Sequence, residues 1–110
     1  MIKLTVAFLL GLVVALPAVA EDAVPAFEIV IKDHKFEPST IEIPANTKVK
    51  LVVKNEDPTP EEFESYELNR EKVIPGKTQA VIFIGPLEPG TYPFFGEFNP
   101  ATAQGKIIAK

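Results

Sequence analysis

The stretch Gly90-Thr91-Tyr92-Pro93-Phe94-Phe95-Gly96-Glu97-Phe98-Asn99-Pro100-Ala101-Thr102-Ala103-Gln104-Gly105 decides the fold. Tyr92 and Phe94 alternate as side chains do on a half-buried strand. Gly96 to Pro100 carries turn residues, and Gly105 reopens an extended run from Lys106 through Ile107, Ile108 and Ala109 to Lys110. Two strands joined in this way make a hairpin-like corner at one end of a sheet.

Upstream of that corner the same period of two recurs. Thr47 to Asn55 sets Val49, Leu51 and Val53 on one side and Lys48, Lys50 and Lys54 on the other, so one face is buried and the other wet. Phe27, Ile29 and Ile31 share a face in a first strand; Ile41 and Ile43 share one in the next. Asp33 to Pro38 interrupts the pattern between them. Phe63 to Leu68 and Lys72 to Ile74 read as weaker strands parted by a charged stretch, behind the proline-broken acidic loop from Glu56 to Glu62. Lys77 to Ile84 is apolar on both sides, with Ala80, Ile82 and Ile84 against Val81 and Phe83, and is expected to be central or covered. No segment has helical apolar spacing beyond one turn, and 11 prolines interrupt the candidates. The expectation is an all-β antiparallel sandwich of about seven to eight short strands.

Residues 1–20 stand apart. Lys3 opens a basic start, Leu4 to Leu16 is apolar, and Ala18-Val19-Ala20 is a small-residue cleavage site, the pattern of a signal peptide. The apolar run is shorter than the roughly 20 residues a membrane span needs. A soluble exported domain over residues 21–110 is expected, without membrane insertion after cleavage. Removing 20 residues from 110 leaves 90, which suits a single domain with one core.

Of 11 Lys and Arg only Lys3 lies in the first 20 residues, so the remainder carries 10 positive against 15 negative charges, a net of -5. An acidic surface repels phosphate backbones, which argues against nucleic acid and anionic membranes as partners. With no cysteine there is neither a disulfide nor a lipidated anchor, and stability must come from burial.

From Gly90 to Lys110 the residue order resembles the cupredoxins, small exported Greek-key sandwiches that carry copper at one end. Tyr92 and Phe94 match the aromatic approach to the family's ligand loop. The resemblance puts Gly96 at the cysteine position, Asn99 at the histidine position and Thr102 or Ala103 at the methionine position, with Glu61 where the other histidine stands. A blue-copper centre needs a thiolate and two imidazoles. This chain has no Cys, one His, and one Met at its first residue, so type 1 copper electron transfer is excluded.

A subgroup of cupredoxin-like proteins is more similar still, through Lys32-Asp33-His34-Lys35-Phe36-Glu37-Pro38, through Thr59 to Ser65, and through Phe94-Phe95-Gly96-Glu97-Phe98-Asn99, where Asn99 replaces the subgroup's usual His. That resemblance implies a periplasmic accessory of iron or copper handling, working beside a membrane iron permease.

The candidate metal donors are Glu61, Glu97, His34 and Glu64. His34 can ligate through neutral imidazole or hydrogen-bond a carboxylate. Period two puts Glu61, Phe63 and Ser65 on one face and Glu62 and Glu64 on the other; with Phe63 in the core, Glu61 aims inward and Glu97 is expected to meet it. Such a pair would share a proton, hold one weakly bound iron or copper ion, or satisfy itself on backbone amides. Glu61, Glu62 and Glu64 form a carboxylate cluster that can offer hard oxygen donors to iron, manganese or calcium, and the same run equally suits a solvated acidic loop. Phe95, Phe98 and Asn99 form the candidate contact surface of the alternative, a metal-free interaction module that docks a membrane partner through residues 95–100. There is no nucleophile–base pair, no phosphate loop and no room for a saccharide cleft, so no enzyme is expected. A monomer is expected.

Overall fold

A computed structural model describes residues 23–110. The expected signal peptide, residues 1–20, lies outside the described residues. Nine strands follow one another: β1 (Ala26–Lys32), β2 (Lys35–Glu37), β3 (Thr40–Ile43), β4 (Val49–Asn55), β5 (Glu61–Ser65), β6 (Arg70–Ile74), β7 (Gln79–Ile84), β8 (Gly90–Gly96) and β9 (Gln104–Ala109). They form a sandwich of a four-stranded sheet, β2-β1-β4-β7, and a five-stranded sheet, β3-β9-β8-β5-β6. No helix among the described residues is long and apolar enough to cross a membrane.

The alternation read from sequence sets the core. Ile29 and Ile31 of β1, Leu51 and Val53 of β4, and Ile82 and Ile84 of β7 face Ile41, Phe63, Phe94 and Ile107 from the other sheet, all buried. Three aromatic rings stand near its centre. Phe63 stacks on Phe94 at 4.8 Å between centroids, and Phe36 meets Phe94 edge-on at 5.0 Å. Pairs of this kind add about 0.5–1.5 kcal/mol each to simple burial. Gly105 makes room for them, because a Cβ there would collide with the Phe94 ring.

Three expectations change. The sheets are mixed, since β1 runs parallel to β4 and β3 parallel to β9 while the other pairs are antiparallel. Alternation fixes which way a side chain points and is silent on the direction of the neighbouring strand. The interruption at Asp33 is a hairpin, in which Asp33 and His34 take φ of 52° and 59° and fold β2 back onto β1. And β7 is an edge strand whose Val81 and Phe83 face outward, exposed. That edge is partly occupied: Arg70 Nε donates to the Phe83 carbonyl at 2.9 Å, and the Lys48 ammonium lies 4.9 Å from the Phe83 ring centroid.

The corner expected from Gly90 to Gly105 is the β8–β9 hairpin, with Tyr92 opposite Ile107 and Phe94 opposite Gly105. Beyond Gly96 the chain turns tightly. Asn99 N–H donates to the Gly96 carbonyl at 3.2 Å, Ala103 N–H to the Asn99 carbonyl at 2.8 Å, and Gly96 N–H to the Ala103 carbonyl at 2.8 Å. This turn lies against β5, through the pairing of Phe63 with Gly96.

Candidate metal centre

Strand β5 carries carboxylates on both faces, and each face has a different environment. Glu61 points into the sandwich and is 1% exposed. Its Oε1 accepts the N–H of Glu62 at 2.9 Å and the N–H of Phe98 at 2.9 Å. Its Oε2 accepts from Asn99 Nδ2 at 2.6 Å. Gly96 is required beside it: a Cβ there would lie 2.6 Å from Glu61 Cδ and 2.7 Å from Ala103 Cβ. Ala103 is itself fully buried.

Glu61, Asn99, Gly96 and either Thr102 or Ala103 stand at the positions matched to the four copper ligands. Both oxygens of Glu61 are engaged by N–H donors, the Asn99 amide is turned toward that carboxylate, Thr102 Oγ1 donates to the His34 carbonyl at 2.6 Å, and glycine and alanine offer no ligand atom. These residues do not fit a type 1 copper ion, which requires a thiolate and imidazoles.

The outward face of β5 gathers charge. Glu64 is paired across the strands with Glu71 of β6 and with Phe95 of β8. Glu97 follows the end of β8, and its N–H donates to the Glu62 carbonyl at 3.1 Å. Glu62, Glu64, Glu71 and Glu97 each bring one carboxylate oxygen within 4.8 Å of the others. Glu62 forms the floor, at 4% exposure, while Glu71 and Glu97 stand at the solvent rim.

Like charges this close are unfavourable unless something neutralises them. Burial, followed by Glu71 and Glu97, pushes the Glu62 carboxyl up to about 8. The bond to Glu97, followed by burial, pushes Glu64 up to about 7. Glu97 is held below its ordinary value because Glu64 and Glu62 donate to it. Among the described residues, the buried side-chain oxygens without a hydrogen-bond partner are Glu62 Oε1 and Glu64 Oε2. The chemistry leaves two ways to balance the group, protons or a cation.

The expected meeting of Glu61 and Glu97 does not occur. Gly96, paired with Phe63, faces inward toward Glu61, so Glu97 one residue later turns to the opposite side and joins Glu62 and Glu64. His34 is not in that group. Its N–H donates to Asp57 Oδ2 at 3.0 Å and its Nδ1 lies 3.6 Å from the same oxygen, while Asp33 N–H donates to Asp57 Oδ1 at 2.9 Å. Burial alone would raise the Asp57 carboxyl, but the amides of His34 and Asp33 outweigh it and hold it below the ordinary range.

Of the candidate contact residues, Phe98 is 49% exposed. Phe95 is half-buried and packs its ring 5.5 Å from that of exposed Tyr66. Asn99 is committed to Glu61. Among the cluster residues, Glu62 and Glu64 belong to the carboxylate run legible in the sequence, whereas nothing in the sequence singles out Glu71. The signal for Glu71 lay in the register of a hairpin: Ser65 pairs with Arg70, which sets Glu64 opposite Glu71.

The profile described as "Cupredoxin-like domain" matches residues 4–109. The protein RP394 of Rickettsia prowazekii (strain Madrid E) is 46% identical over 92 residues, covering 84% of this chain and 74% of its own length. Among solved structures, the fold is similar to auracyanin A, a "blue" copper protein of Chloroflexus aurantiacus. The TM-score is 0.67 at 13% identity, covering 77% of this chain and 98% of that one. It is also similar to the metal-binding domain of the Cu(I)-exporting P-type ATPase CopA of Streptococcus pneumoniae D39. There the TM-score is 0.69 at 16% identity, covering 77% of this chain and 84% of that one. The sandwich, the β8–β9 corner and the profile match agree: the chain belongs to the cupredoxin-like domain family.

Proposed function

We propose that this protein is a periplasmic accessory of an iron transport system, binding a metal ion as cargo among Glu62, Glu64, Glu71 and Glu97 and passing it to a membrane permease. One observation carries the reading. Glu62 Oε1 is buried, has no hydrogen-bond donor, and sits among three other carboxylates. A buried carboxyl oxygen without a partner is costly, and a cation held by the four groups, displacing the protons that otherwise balance them, would remove that cost. Four oxygen donors favour a hard ion of the iron or manganese kind over the thiolate-seeking state of copper. The rim position of Glu71 and Glu97 suits loading and release. The solved domain of this fold from a copper-exporting ATPase supports the pairing of such a sandwich with a membrane transporter.

Calorimetric titration with Mn(II), with Cu(II), and with Fe(II) under exclusion of oxygen tests the reading. The expected result is one ion per chain, with affinity lowered at least about tenfold in Glu62→Gln and Glu97→Gln and unchanged in His34→Ala. Absence of heat with all three metals together with unchanged melting would remove the claim. So would binding that ignores both glutamate substitutions.

The half-exposed Phe98, one residue beyond Glu97, supports a second reading, in which the 95–100 loop docks a membrane partner without any metal. Exposed aromatic side chains are enriched in such contacts. On that reading Phe98→Ala weakens capture by the partner and Glu62→Gln leaves it intact.

A further inference from the structure

We propose that Glu61 is a positioning residue that ties the turn after β8 to β5 through hydrogen bonds. In doing so it sets Glu97 beside Glu62 and Glu64. Consecutive residues of β5 grip consecutive amides of the turn, because the Glu62 carbonyl accepts from Glu97 N–H and the Glu61 carboxylate accepts from Phe98 N–H. The Asn99 side chain adds a third tether at 2.6 Å, and its own main chain closes the turn through Gly96 and Ala103. Glu97 therefore lies inside a segment held from both sides. The bonds to Glu61 are charge-assisted, the stronger class of hydrogen bond.

The residues at the positions that the cupredoxin resemblance assigns to ligands fit one another. Glycine at 96 leaves the volume that the Glu61 carboxylate fills, and a side chain there would overlap it. Asparagine at 99 supplies an N–H to that carboxylate, and small Ala103 closes the far side. Together they make a packed, hydrogen-bonded clasp that needs no ion. The four carboxylates proposed to take a cation project from the opposite face of the same strand.

The effect on cation affinity rests on the reading of the four-glutamate group as a metal site; the clasp itself does not. Amide hydrogen exchange of the chelator-treated protein, followed residue by residue by NMR and paired with Mn(II) titration, separates the two. In the wild type the Phe98 amide is expected to stay protected without metal. Glu61→Ala should speed its exchange at least about tenfold, as one lost charge-assisted bond implies, and weaken Mn(II) binding as well. Glu61→Gln keeps an acceptor oxygen for Phe98 and should restore part of both. Glu62→Gln should weaken Mn(II) binding at least about tenfold and leave Phe98 protected. Should Glu61→Ala fail to fold, Glu61→Gln and Asn99→Ala carry the same comparison. Unchanged Phe98 exchange in the Glu61 and Asn99 variants would overturn the proposal. Loss of protection on chelation of the wild type would also overturn it, since a metal would then be holding the turn. A wild type that binds no Mn(II) but keeps Phe98 protected would sink the cation reading and leave the clasp standing.

Discussion

Glu61 and Glu62 are consecutive residues of one strand, both buried, and their surroundings are opposite. Glu61 faces the core and meets three N–H donors; Glu62 faces outward and meets three carboxylates. Burial is thus a poor guide to what a carboxylate does. What separates a structural carboxylate from a candidate binding one is the count of donors aimed at it. A satisfied anion stabilises its fold, whereas an unsatisfied one raises the energy of the empty state and gives a cation something to relieve.

The comparison breaks first at Glu61. Replacing it by alanine removes the acceptor of three bonds and strands the Phe98 amide, which should cost about 3 kcal/mol and lower the melting temperature by more than roughly ten degrees for a domain of this size. Thermal unfolding followed by circular dichroism measures it. A loss below about 0.5 kcal/mol, the level of an ordinary surface change, would mean that the clasp bears little of the fold's stability.

Glu62→Gln should act in the opposite direction. The neutral amide can donate to its neighbours, so the metal-free variant is expected to be more stable than the wild type at pH 8 by about 1–3 kcal/mol, the cost of a buried group without a partner. The Glu62 carboxyl is raised from 4.5 to about 8 on folding, so the native state keeps a proton that the unfolded chain has released. Its contribution is therefore complete below about 4.5 and drains away as pH rises toward about 8. Metal-free wild type should lose stability across that window, and Glu62→Gln should flatten the loss; parallel profiles for the two proteins would contradict the assignment.

Asp57 sharpens the contrast with a smaller effect and the reverse sign. Its carboxyl is held below the ordinary value of 3.8, so its contribution is present above that pH and is lost as pH falls through the depressed folded value. Asp57→Asn should cost about 1–2 kcal/mol at neutral pH and make acid unfolding less steep, as denaturant melts at graded pH would show. Smallest of all, Phe98→Ala should change stability by no more than about 0.5 kcal/mol, as for an exposed side chain, while lowering any affinity for a partner.

The fold was legible because alternation is a direct record of which side chains enter the core: Val49, Leu51 and Val53, or Tyr92 and Phe94, announce their strands and faces. Neighbour direction and edge position leave no such record, so the parallel pairs and the exposed outer face of β7 were not visible. The site was legible in part. Glu61 was read as inward from the phase of Phe63, and it is inward. Glu97 was given the wrong neighbour because its phase is set by the pairing of Gly96 with Phe63, a contact across 33 residues of chain. Glu71 depends on a hairpin register fixed by a turn in which Asn69 takes a positive φ, a conformation that spacing alone does not specify.

Crystals grown with Mn(II) and measured for its anomalous scattering address the central claim most directly. The account predicts a single anomalous peak bounded by carboxylate oxygens of Glu62, Glu64, Glu71 and Glu97, with the Glu61–Asn99 bond unchanged. An ion seated between Glu61 and Asn99, or no peak at saturating Mn(II), would contradict it.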